Sequence, residues 1–134
     1  MPFDSQDRQL VVEKLQELQE TNLTRVGRYR KLLRTGSADY FCIVGATDDW
    51  HGISEGMLER IEREANQGFL VLAIKFTDRI EVFRDEIAPL LENPEQLSYS
   101  SQGNYQFHSV LTESQACVRE LDSYCLPRVA TVQL

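Results

Sequence analysis

Phe69-Leu70-Val71-Leu72-Ala73-Ile74-Lys75-Phe76 is an eight-residue run carrying a single charge. Its length and composition predict a strand with both faces buried, which places it at the centre of a sheet. Thr77-Asp78-Arg79 then forms a tight turn, and Ile80–Phe83 is the return strand, with Ile80 and Val82 on one face. Upstream, Tyr40-Phe41-Cys42-Ile43-Val44 is a second short, β-prone apolar run. Between the two runs Ser54 caps a helix over about Glu55–Gln67. Its apolar face is Met57, Leu58, Ile61 and Ala65, and Gly68 ends it.

Towards the N-terminus, Ser5 caps a helix over about Gln6–Glu20 with Val11, Leu15 and Leu18 as its stripe. Thr21-Asn22-Leu23-Thr24 interrupts the pattern. A second helix is expected over Arg25–Arg34, closed by Gly36, so that residues 1–36 form a helical hairpin. Towards the C-terminus, Glu86–Leu91 reads as a short helix with Pro89 in its first turn. Glu92–Asn104 reads as a long surface loop and Tyr105–Leu111 as a strand. Thr112–Gln115 closes a hairpin onto Ala116–Leu121, although Thr112 and Gln115 also have the spacing of a helix capping box. Val129–Val132 is an expected edge strand. The prediction is a single α+β domain. In it the helical hairpin precedes a core, residues 37–134, with a mixed or antiparallel sheet of about four to five strands and one further main helix packed on it.

The chain has 134 residues, of which 42% are hydrophobic and 26% charged, as in an ordinary globular domain. No apolar run approaches the ~18–20 residues that span a bilayer. Met1–Asp7 lacks the basic start and apolar stretch of a secretory signal, and a cytoplasmic location is expected. Cys42, Cys117 and Cys125 are odd in number and irregularly spaced, which reads as free thiols in a reducing compartment. The net charge of −7 is uneven. Residues 1–34 hold seven basic and five acidic side chains, and the remainder hold seven and sixteen, giving +2 and −9. The acidic part repels a phosphate backbone, so nucleic acid is admitted only through residues 25–34.

Within those ten residues Arg25, Arg28, Arg30, Lys31 and Arg34 occur with no acid among them. On a helix, Val26, Tyr29, Leu32 and Leu33 would share one arc and most of the cations the opposite one. Such a face either contacts an anionic partner or is a solvated face paired with the protein's own carboxylates. The loop Thr47-Asp48-Asp49-Trp50-His51-Gly52 holds two carboxylates, the only Trp and one of two His. Asp48 and Asp49 are candidate ligands for Mg²⁺ or Ca²⁺, and His51 is a candidate base. Ordinary turn chemistry accounts for the same residues. A metal-dependent nuclease needs an acid two positions before its lysine. Here Ala73 stands two before Lys75, so that pattern lacks a ligand. No zinc spacing, cysteine-nucleophile signature or Gly-rich phosphate loop occurs.

The sequence therefore predicts a small, non-enzymatic binding or regulatory module without a cofactor. It would use the basic segment to engage a protein partner or a second copy of itself. The alternative is a metal-dependent, nuclease-like domain centred on Asp48, Asp49 and His51.

Overall fold

A computed structural model of the chain describes residues 2–134. It contains three α-helices and ten strands joined in one sheet. In chain order these are α1 (Ser5–Gln19), β1 (Thr24–Val26), β2 (Tyr29–Arg34), β3 (Asp39–Ala46), β4 (Trp50–Ser54), α2 (Glu55–Glu64), β5 (Gln67–Lys75) and β6 (Arg79–Glu86). Then follow α3 (Ala88–Glu92), β7 (Ser98–Tyr99), β8 (Asn104–Leu111), β9 (Gln115–Val118) and β10 (Cys125–Gln133). The strand order is β1-β2-β3-β5-β6-β10-β9-β8-β4, with β7 paired to β8. The β3–β5 pair is parallel, joined through β4 and α2, and every other pair is antiparallel.

This corrects the expected architecture: the sheet has about twice the predicted number of strands, and no helical hairpin occurs among the described residues. The predicted helix over Arg25–Arg34 is the β1–β2 hairpin, turned by Gly27 and Arg28 between the paired residues Val26 and Tyr29. Gly27 has φ +56°, the left-handed region that a two-residue hairpin turn requires at its first central position. Helical spacing of Val26, Tyr29, Leu32 and Leu33 was outweighed by burial. As a strand the segment sends Leu32 into the core on one face and Leu33 into the core on the other. Each is worth roughly 1.5–3 kcal/mol, whereas an isolated ten-residue helix with an internal Gly is marginal in water.

Two cores lie on the two faces of the sheet. Strand alternation sends Phe41 and Ile43, Val71 and Ala73, and Ile80 and Val82 to the face covered by Val11 and Leu15 of α1. The intervening Tyr40, Cys42, Val44, Leu70, Leu72 and Ile74 face Met57, Leu58 and Ile61 of α2. β5 is thus buried on both sides, as its composition predicts. Leu18, placed in the apolar stripe by the sequence, is 44% exposed, and α1 is capped by Asp4 instead of Ser5. Ser54 caps α2, its hydroxyl accepting the Met57 N–H at 3.2 Å. Gly68 lies in β5 instead of ending that helix; a Cβ there would come within 3 Å of methyls of Ile61 and Ile87, so the glycine sets how closely α2 approaches the sheet.

β10 is not an edge strand. Its residues Cys125–Pro127 pair with β9, and Arg128–Gln133 pair with β6. Beyond it β9, β8 and β4 curl over the α2 side, adding Ile53, Phe107, Ala116 and Val118 to that core. The curl brings β4, one end of the strand order, towards the β1–β2 hairpin at the other end. Cys117 and Cys125 face each other across β9 and β10 and form a disulfide, which corrects the expectation of three free thiols. Only Cys42 is free, and it is buried. Among the described residues no helix is long and apolar enough to cross a membrane.

Candidate functional site: a basic cleft between the two ends of the sheet

The β2–β3 ladder covers only Leu32–Arg34. Tyr29, Arg30 and Lys31 run past it and form one wall of an open cleft of about 450 Å³. Trp50, Gly52 and Ser54 of β4, with Asn104 and Gln106 of β8, form the other, and Arg28 stands at the turn. The register explains this second wall. Trp50 pairs with His108, Gly52 with Gln106 and Ser54 with Asn104, so these residues share the outward face. The alternate positions His51, Ile53 and Phe107 point inward and are buried.

Trp50 is 40% exposed and is held from two sides. The Asp48 carboxylate accepts its backbone N–H at 3.1 Å, and the His108 ring meets the indole edge-on with ring centroids 4.3 Å apart. Behind it, the Glu120 carboxylate takes the His108 backbone N–H and its ring Nδ1, each at 2.8 Å. Burial pushes the Glu120 carboxyl up, but the His108 hydrogen bonds outweigh this and hold it below its ordinary value. Arg119 Nη2 lies 2.9 Å from the same Nδ1; a nitrogen that donates to Glu120 cannot accept from Arg119, so the carboxylate is the partner that orients the ring.

The cations of the hairpin divide between two surfaces. Arg28 and Lys31 line the cleft, and Arg30 lines both the cleft and a second groove of about 310 Å³ shared with Arg25 and Arg8 of α1. Burial and the Arg30 charge both lower the pKa of Arg8. Arg34 lies over the Tyr40 ring, 5.5 Å from its centroid, and its Nε donates to the Thr35 carbonyl at 3.1 Å. Among the described residues none of Arg25, Arg28, Arg30, Lys31 or Arg34 has a carboxylate within 4 Å.

The acidic loop is arranged differently. Asp48 and Asp49 are exposed, and Asp48 closes the turn that introduces β4. His51 hydrogen-bonds to neither: its Nε2 meets Ser109 Oγ at 2.7 Å, and its Nδ1 is buried without a partner. Burial pushes its pKa down to about 4. No group of three or more His, Cys, Asp or Glu side chains converges among the described residues. Lys75 donates to the buried Asp7 carboxylate, and burial pushes the Cys42 thiol up to about 12.

The sequence reading found the cations, Trp50 and the loop, but not that a cleft joins them. Its missing partners, Asn104 and Gln106, fell in or beside a segment read as loop. The available signals were Gly27-Arg28 between two apolar residues, a hairpin turn, and the alternation of Trp50, Gly52 and Ser54. Comparison with protein-family models, curated proteins and solved structures returned no match.

Proposed function

We propose that this chain is a binding module that receives an anionic partner in the cleft between the β1–β2 hairpin and β4. One observation carries this reading: among the described residues Arg28, Arg30 and Lys31 lack carboxylate partners within 4 Å and line the same cleft as the exposed Trp50, in a protein with 21 acidic side chains. Local like charge left unneutralised beside an aromatic raises the field in a cleft and attracts a counter-ion. Binding is favoured over catalysis by the state of the other reactive groups. His51 is enclosed, His108 is tied to Glu120, and Lys75 to Asp7.

Trp50 is the only tryptophan, so its fluorescence reports on the cleft alone. Pyrophosphate, a poly-glutamate peptide and an oligonucleotide are each titrated against the protein at low and at physiological salt. At least one should give a saturable change that weakens as salt rises. The triple variant Arg28→Glu, Arg30→Glu, Lys31→Glu should lose it while melting within a few degrees of the parent. A Trp50 signal that no anion moves would end the reading.

A further inference from the structure

We infer that the anion is a nucleoside phosphate, its base on the Trp50 wall and its phosphates on Arg28 and Lys31; this rests on the cleft being an anion site. Cations alone would serve a simple anion. The wall opposite them offers instead a set of groups suited to a flat heterocycle. Trp50 presents an exposed indole, with His108 meeting it edge-on. A base stacked on an aromatic side chain gains roughly 1–3 kcal/mol whatever its identity. Along the same face lie the Asn104 and Gln106 carboxamides, neither of which has an intramolecular side-chain partner among the described residues. A carboxamide carries adjacent donor and acceptor groups, the pattern that matches the edge of a base. Opposite Gln106, Gly52 leaves a flat strip of backbone. A Cβ there would meet nothing closer than 3.9 Å, so packing does not demand the glycine.

The size of the ligand follows from volume and charge. The cleft, about 450 Å³, falls within the ordinary range for small-molecule sites. Glu55, Glu59 and Glu62 of α2 line a neighbouring groove. A polyanion continuing out of the cleft along that side would meet carboxylates. A single nucleotide avoids them; a long strand does not.

The test compares ADP, GDP, CDP and UDP with pyrophosphate, a twelve-residue oligonucleotide and poly-glutamate, by calorimetry on the whole chain. The nucleoside diphosphates should bind roughly fivefold or more tighter than pyrophosphate, the gain expected of stacking. Trp50→Ala should bring them down to the pyrophosphate level without changing pyrophosphate itself. Trp50→Phe should retain part of the gain, which separates loss of stacking from loss of structure. Arg28→Glu with Lys31→Glu should abolish both ligands. Diphosphates no tighter than pyrophosphate, an unaltered Trp50→Ala, or a preference for the oligonucleotide or the peptide would overturn the nucleotide assignment and leave the anion site standing. Silence from every anion would remove both.

Discussion

The Asp7 carboxylate and the Lys75 ammonium meet 2.8 Å apart with both side chains less than a tenth exposed, tying the first turn of α1 to the last residue of β5. Asp7 also accepts the Asp4 backbone N–H at 3.0 Å, and Asp4 accepts that of Asp7 at 2.9 Å, so one carboxylate serves both the helix cap and the sheet. Burial raises the Asp7 carboxyl, and the Lys75 and Asp4 interactions more than offset that, leaving its pKa lowered. Asp7→Ala strands a buried ammonium and should cost about 2–4 kcal/mol. Adding Lys75→Met should recover much of the loss, because no unpaired charge then remains. Urea denaturation of the two variants checks this; equal stabilities would show that the ion pair does not tie helix to sheet.

His51 predicts an acid-sensitive fold. Its folded pKa of about 4 lies below the ordinary value of 6.5 because the buried ring resists a charge. The unfolded chain therefore binds a proton that the folded chain refuses between those two values. Stability from this group is complete above pH 6.5 and is lost as pH falls towards 4. The loss is on the order of 3 kcal/mol. His51→Gln, which keeps a polar group within reach of Ser109 but does not titrate, should flatten that part of the pH–stability curve. An unchanged slope in the variant would place the titrating group elsewhere.

The cross-strand disulfide closes a loop with a sequence separation of eight. Reduction, or Cys117→Ser with Cys125→Ser, should destabilise the fold by about 2–3 kcal/mol. Alkylation without reductant in denaturant should label one thiol per chain, Cys42, and labelling of all three would mean that the bridge is not formed. The loop also carries Glu120, which orients His108 against Trp50. Reduction should therefore shift the Trp50 emission as well as the melting temperature.

Gly27→Ala distinguishes a turn from a helix directly. In a helix the substitution would stabilise by close to 1 kcal/mol. At φ +56°, with Arg60 Nη1 only 2.8 Å from the position of the new Cβ, it should instead destabilise by about 1–2 kcal/mol. Chemical denaturation gives the sign.

Where local pattern and burial agreed, the sequence was a good guide. β5 and β3 stand out because apolar runs are buried on both faces, β6 because Ile80 and Val82 alternate with charged residues after a tight turn, and α2 because Ser54 and a four-residue apolar face agree. Arg25–Arg34 misled because two faces of a sheet and one face of a helix can be satisfied by the same four apolar residues; only Gly27 separates them. β4 was hidden because Trp50, Gly52 and Ser54 face outward and leave just His51 and Ile53 as an inward pattern. β10 was shortened because Pro127 reads as a breaker. It stands where β10 passes from its ladder with β9 to its ladder with β6, a place where a missing N–H is tolerated. The cations were legible as a cluster, but their opposition to Trp50 depends on the curl of the whole sheet.

β10 follows in sequence every strand that it joins, and it alone links β6 to β9. During synthesis the two portions of the sheet therefore wait on a late segment, and the ribosome must have passed Gln133 before that seam can be sewn. Until β10 emerges, Ala116 lacks Leu126, its partner across the ladder, and the side of the shared core that β10 closes stays open, so the chain is more prone to aggregate before that strand is made than after it.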